Sequence, residues 1–162
     1  MSELDDLYQQ MILDHSKRPR HFHVMDDATS HAEGYNPLCG DRVTVYLKLN
    51  GSHFDQISFT GTACAICTAS ASLMTQMLAG TDAAKADEMF DRMRQMLTGP
   101  QDQALDEDAL GKLVVLHGVR KYPMRVKCAT LPWHTMKAAL NGGDGGAAAS
   151  GSEGANQAVT TE

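Results

Sequence analysis

Hydrophobic positions recur along this chain with two different periods, and the change of period marks out the elements. Near the N-terminus Leu4, Leu7, Tyr8, Met11 and His15 follow the spacing of one helical face. Ser2 with Asp5 three positions later is a capping-box pattern, so the spacing predicts a helix over about residues 3–16. The approach to Arg18-Pro19 ends it. Residues 18–35 hold no clear period and read as loop, with His21, His23 and His31 as solvated side chains. From Arg42 to Leu49 the pattern alternates. Val43, Val45, Leu47 and Leu49 share one face, and Arg42, Thr44, Tyr46 and Lys48 share the other. Asn50-Gly51 is a hairpin signal, and the return strand runs through Ile57 and Phe59 to Gly61. A hairpin brings its open ends together, so residues near 40 and residues near 64 meet at one end of a sheet.

The helical period then returns. Ala65 to Ala79 carries small residues on most faces, which predicts a helix packed closely against a neighbour, with Gly80 as its stop. Asp82 caps a helix over about residues 83–98, whose buried stripe is Met89, Phe90, Met93 and Leu97. Gly99-Pro100 breaks the chain. A fourth helix is expected over about residues 107–117, with Leu110, Leu113, Val114 and a packed His117, closed by Gly118. Arg120 to Arg125 reads as a loop, and Cys128 falls near the start of a last helix ending around Leu140. Pro132 must sit in that helix's first turn or kink it, while Trp133 and His134 read as packing residues. From Asn141 onward the chain is rich in Gly, Ala and Ser. It cannot bury enough to offset chain entropy, so residues 1–140 are expected to form the domain and 141–162 a disordered tail.

Composition narrows the partners. The chain has 162 residues, 43% hydrophobic and 21% charged, enough for one domain with a core. No apolar run reaches the roughly 18 to 20 residues of a membrane span. The start, Met1-Ser-Glu-Leu-Asp-Asp, lacks the basic-then-apolar order of a signal peptide, so a cytoplasmic setting is expected. Thiols stay reduced there, and four cysteines read as ligands or reactive groups before disulfides. The formal net charge of −6 argues against nucleic acid as the main partner. Basic residues nevertheless gather at Arg120, Lys121, Arg125 and Lys127, just before Cys128.

All four cysteines lie in three short segments: Asn36-Pro37-Leu38-Cys39-Gly40-Asp41, Gly61-Thr62-Ala63-Cys64-Ala65-Ile66-Cys67, and Arg125-Val126-Lys127-Cys128-Ala129-Thr130. Cys39, Asp41, Cys64 and Cys128 supply three thiolates and a carboxylate, a donor set that suits tetrahedral zinc. Pro37 stiffens the approach to Cys39, and Gly40 lets Cys39 and Asp41 face one point. Cys64 and Cys128 are expected at helix starts, where unpaired N–H groups favour a thiolate. Such a shell around a divalent ion keeps two negative charges, for which the helix ends, Arg125 and Lys127 are the available offsets. The hard oxygen ligand among soft ones suits exchange of one ligand, and a thiolate released from the ion is a ready nucleophile. A purely structural zinc staple is the plainer alternative, though a domain of this size does not need one.

Together these segments resemble the iron–sulfur cluster assembly family that includes IscU and the N-terminal domain of NifU. The likeness spans about residues 1–140 and is greatest to the SufU branch. The IscU branch has histidine before its last cysteine where this chain has Lys127, and the stretch from about Arg92 to Asp108 resembles the extra segment of SufU-type chains. The resemblance implies an α+β fold, a small antiparallel sheet of about three strands packed against about five helices. It implies zinc on the residues matching Cys39, Asp41, Cys64 and Cys128. It implies that sulfur arrives as a persulfide from a pyridoxal-phosphate cysteine desulfurase of SufS type, with Cys39 as acceptor. Arg125 and Lys127 would steer or stabilise that persulfide, and downstream SUF assembly proteins would receive the sulfur. The pyridoxal phosphate belongs to the partner. The other reading within the family is a scaffold, where the same ligands hold iron or a transient iron–sulfur cluster for transfer to apoproteins. Cys67 departs from the family pattern, which has serine or another small residue there. It is either a small apolar substitute in a packed helix, or a resolving thiol or alternate ligand.

Overall fold

The computed structural model describes residues 3–100 and 104–142. Helix α1 (Glu3–Lys17) is followed by strands β1 (Ser30–Asn36), β2 (Asp41–Asn50) and β3 (His53–Thr62), helices α2 (Ala65–Leu78) and α3 (Ala83–Thr98), a single α-turn α4 (Glu107–Leu110), a 3₁₀ helix (Gly111–Lys121) and the long α5 (Pro123–Gly142). The strands form one antiparallel sheet in the order β1-β2-β3. This is the expected α+β class.

The sheet buries one face under helices. Val43, Val45 and Leu47 of β2 are almost fully buried, as their alternation requires. Leu49 is only half-buried, because the register with β3 shifts between Lys48 and Leu49. Asn50 pairs with His53, and Gly51 takes the left-handed conformation (φ +64°) that this tight turn needs. Helix α5 lies across β1 and β2, α2 packs beside it, and α1 covers α2. Trp133 of α5 is fully buried and donates its indole N–H to Ser70 Oγ at 3.1 Å, while that hydroxyl donates to the Ala129 carbonyl at 2.5 Å. This buried relay fixes α2 against α5 without leaving a polar atom unpaired. Met89, Phe90, Met93 and Leu97 form the buried stripe of α3, and His134 packs edge-on against Phe90.

Three sequence expectations are corrected. Residues 30–36 are not loop but strand β1. Its buried positions are Ser30, Ala32, Gly34 and Asn36, too small and polar to show a hydrophobic alternation. Their smallness lets α5 approach: a Cβ on Gly34 would collide with the Thr135 hydroxyl. His31 therefore lies in a strand, tilted against the Tyr46 ring. The fourth helix is α-helical for one turn only. Gly111, at φ +57°, caps that turn, and the backbone continues as 3₁₀ helix. The loop over residues 120–125 is also absent, since the 3₁₀ helix runs to Lys121 and α5 starts at Pro123, the favoured place for proline. Cys128 therefore sits in the second turn of α5 rather than at its start. Pro132 lies in the helix interior, where it cannot donate to the carbonyl of Cys128. Asn141 and Gly142 still belong to α5, and the remainder of the expected tail lies outside the described residues. Among the described residues no helix is long and apolar enough to cross a membrane.

Because β1 reaches α5 only through a missing side chain, Gly34→Ala should destabilise the fold by about 1–3 kcal/mol, the usual cost of overpacking. Urea unfolding of the wild-type and variant chains measures this. An unchanged midpoint would mean that β1 and α5 have room to separate.

Candidate metal centre

Four side chains reach one end of the sheet from three elements. Residues 37–40 form the turn between β1 and β2, closed by the pairing of Asn36 with Asp41. The Asn36 side-chain oxygen accepts the Leu38 N–H at 3.0 Å, and its carbonyl accepts the Gly40 N–H at 2.8 Å. Gly40 has φ +78°, which reverses the chain and leaves Cys39 exposed at the tip. Asp41 is the first residue of β2 and shares the parity of Val43 and Val45, so its carboxylate enters the buried face; the residue is 3% exposed. On the neighbouring strand Gly61 faces Val43, and any Cβ there would strike the Arg42 carbonyl. Two residues beyond Thr62, Cys64 caps the N-terminus of α2.

The resulting contacts are short. The Cys64 N–H donates to Asp41 Oδ1 at 2.8 Å, and Cys64 Sγ lies 3.4 Å from Asp41 Oδ2. Cys39 Sγ lies 3.5 Å from Cys128 Sγ. The ligand atoms of Cys39, Asp41 and Cys128 all fall within 4.8 Å of one another, and Cys64 adjoins that trio through Asp41. Around a tetrahedral zinc with bonds of about 2.0–2.3 Å, neighbouring ligand atoms stand roughly 3.5–3.8 Å apart. The Cys39–Cys128 and Cys64–Asp41 contacts are close to that spacing, Cys64 stands outside the 4.8 Å trio and would draw inward, and three sulfurs with one carboxylate oxygen are donors that zinc accepts. The residues present therefore fit the ion.

Without a metal the thiols hold their protons unequally. The Cys64 thiol is pulled down to about 7, first by a hydrogen bond from the Cys128 thiol and further by the Cys67 N–H, which donates to Cys64 Sγ at 3.4 Å. This is the helix-start effect expected for Cys64. For Cys128 that expectation fails. It lies a turn inside α5, keeps the proton it shares with Cys64, and is held far above the usual thiol range. Partial burial pushes the Cys39 thiol up. Cys67 is fully buried, packs in a cluster with Val43, Cys128 and Leu131, and is pushed well above the thiol range by burial. That is the environment of a small core residue and not of an exposed resolving thiol.

The supporting cations part company. Arg125 is exposed, stacks its guanidinium 4.9 Å over the Tyr122 ring, and lines a cavity of about 810 Å³ whose wall also holds Cys39, Cys64 and Cys128. Lys127 is half-buried and does not line this cavity. Sequence reasoning missed the cavity itself. Its far wall comes from Tyr8, Ile12 and Leu13 of α1 and Val115 and Val119 of the 3₁₀ helix. In the sequence these residues are indistinguishable from ordinary core stripes.

Comparison with known proteins places the chain. The sequence model of the NifU-like N terminal domain matches residues 7–129. The chain is 39% identical to the zinc-dependent sulfurtransferase SufU of Bacillus subtilis, over 90% of this chain and 97% of that protein. It is 37% identical to the iron–sulfur cluster assembly scaffold protein IscU of Streptococcus pyogenes serotype M1, over 86% of each. Its fold superimposes on a crystal structure from Fervidobacterium islandicum AW-1, described as an iron–sulfur cluster assembly scaffold for the SUF system. The TM-score is 0.76 at 35% identity, covering 86% of this chain and 99% of that one.

The unequal thiols give a testable order of reactivity. In metal-free protein, Cys64 should react fastest with iodoacetamide near neutral pH, since the thiolate is the nucleophile. Its rate should rise through about pH 7 and level off, following the depressed value at that thiol. Rates at Cys39 and Cys67 should still be climbing above pH 9, the ordinary thiol value. Peptide mass mapping over a pH series reads this. Earliest labelling at Cys67 would contradict it.

Proposed function

We propose that this chain, which belongs to the NifU-like N-terminal domain family, serves iron–sulfur cluster assembly as a zinc-bound sulfur acceptor. Its sulfur comes from a pyridoxal-phosphate cysteine desulfurase and passes onward to SUF-type assembly proteins. The observation that carries this reading is the convergence of three thiols and a carboxylate in which two thiols are exposed, Cys64 fixed at the start of α2 and Cys39 on a glycine turn. Cys39, Asp41, Cys64 and Cys128 are the residues that would hold the ion. Bound there, zinc supplies Lewis acidity that keeps thiols deprotonated at neutral pH.

The chain's own residues divide the remaining work. Cys64 and Cys128 are anchored on helices, and Asp41 is tied to the Cys64 backbone, so these three stay in place. Cys39 rides on the turn over residues 37–40 and can swing towards a partner. Its thiolate attacks the outer sulfur of the partner's cysteine persulfide. A new S–S bond forms at Cys39, the partner's S–S bond breaks, and the partner's thiolate departs. The sulfane sulfur moves without net oxidation or reduction. Arg125, beside the thiols on the cavity wall, offsets the negative charge of the incoming persulfide. Lys127, half-buried and not on the cavity wall, is the less suited of the two. The four free cysteines fit a reducing compartment such as the cytoplasm, with residues 1–140 as the working domain.

The scaffold reading draws support from the likeness to IscU of Streptococcus pyogenes, and it uses the same ligands. Lys127 weighs against it. An ammonium has no lone pair to offer a cluster, whereas the histidine of the IscU branch does.

Adding the zinc-loaded chain to a SufS-type cysteine desulfurase should raise cysteine turnover, and Cys39→Ala should return it to the desulfurase's own rate. Mass spectrometry of the wild-type chain should find the added sulfur on Cys39. No stimulation, or a brown chromophore in protein purified from cells, would favour the scaffold.

A further inference from the structure

The cavity beside the thiols has a second chemical character. Lys121, the last residue of the 3₁₀ helix, and Arg125, in the first turn of α5, both line it. Neither forms an ion pair among the described residues. Arg125 stacks through its face on Tyr122, which does not use the N–H edge that binds carboxylates. Most of the remaining wall is apolar, from Ile12, Ile66, Val119 and Met124 among others. Asp5, on the α1 side, gives that wall the opposite sign. A volume of about 810 Å³ belongs to the range of small-molecule sites, roughly 300–1,000 Å³. Unpaired cations on an apolar concavity are the recognition pattern for a small anion with an apolar stem. Three thiols on the same wall add the requirement that it engage sulfur.

We propose that this cavity binds a low-molecular-weight thiol bearing carboxylate groups, held by Lys121 and Arg125, and that this thiol takes sulfane sulfur from Cys39. The inference rests on Cys39 carrying a persulfide, as proposed above. A zinc–thiolate centre is anionic, so the carboxylates belong on Lys121 and Arg125 and the uncharged thiol group faces Cys39. The bound thiol gives up its proton and attacks the outer sulfur of the Cys39 persulfide. A new S–S bond forms on the small molecule, the S–S bond at Cys39 breaks, and Cys39 leaves as the thiolate that takes up the proton. No outside oxidant or reductant is needed.

The test uses the full zinc-loaded chain, with zinc content measured throughout. Cys39 is charged by desulfurase and cysteine and checked by mass. Sulfur release is then followed with 3-mercaptopropionate, 2-mercaptoethanol and cysteamine, which differ in charge and in thiol pKa, so each rate is divided by that thiol's rate with a small-molecule persulfide in free solution. The expected result is saturation with 3-mercaptopropionate and, at low concentration, an advantage of about tenfold over cysteamine, the size of one charge-assisted hydrogen bond. Lys121→Glu, which leaves Arg125 facing an opposite charge, should erase that preference. Equal, unsaturable rates for the three thiols would overturn the inference and give the cavity to a partner's peptide segment. A second arm needs no sulfur transfer: S-methylglutathione should bind the zinc protein saturably by NMR titration, and Lys121→Glu should abolish this. No binding would also overturn the inference. If no sulfur reaches Cys39 in the first arm, the proposed function fails there, and the binding arm alone decides the cavity's role.

Discussion

Asp41 is an acidic side chain on the core face of a strand, and a carboxylate in that position is costly unless it is paired. Its partner is the backbone N–H of Cys64, the residue that opens α2. This one hydrogen bond joins the start of β2 to the start of α2 and accepts a donor that the helix leaves unpaired. It also sets the Cys64 sulfur beside the carboxylate's second oxygen. Much of the local architecture serves to make that meeting possible. Gly61 lets β3 pass tightly over Arg42, and the Gly40 turn returns the chain from Cys39 into β2. Cys128 arrives independently, on a helix fixed by the Trp133–Ser70–Ala129 relay.

The same arrangement divides groups held at helices from one held on an exposed turn. In the metal-free chain a hydrogen bond from Cys128 draws the Cys64 thiol down to about 7, so about half of it is thiolate at neutral pH. Cys39 meets Cys128 and Asp41 from an exposed turn. A centre meant only to hold the fold together would gain from burying all its ligands. Here Asp41 and Cys128 are buried while Cys39 and Cys64 are exposed beside a large cavity, where another molecule can reach them. That asymmetry is what links the geometry to sulfur transfer.

The hairpin of β2 and β3 and α3 were legible in the sequence because their buried positions are apolar and periodic, α2 because of its run of small residues, and α1 because of its spacing, although Leu7 on that face is exposed. Strand β1 was not. Ser30, Ala32, Gly34 and Asn36 are buried through small size and hydrogen bonding, which leaves no hydrophobic trace. The turn from α4 into a 3₁₀ helix depends on one glycine conformation, Gly111, and periodicity cannot see it. Among the site residues, Cys39, Asp41 and Cys64 could be brought together from the hairpin alone. Cys128 came from the motif, and its place in α5 had to await the position of Pro123 as the helix start. The cavity was illegible because its walls come from α1, the 3₁₀ helix and α5, which are brought together only by tertiary packing.

The account turns on one cation bridging those elements. X-ray absorption at the zinc edge of the full-length, zinc-loaded chain tests this directly. The prediction is a four-coordinate ion with three sulfur neighbours at about 2.3 Å and one oxygen at about 2.0–2.2 Å, the oxygen being lost in Asp41→Ala. A shell of four sulfurs, which would recruit Cys67, or a shell of oxygen and nitrogen alone, would contradict it.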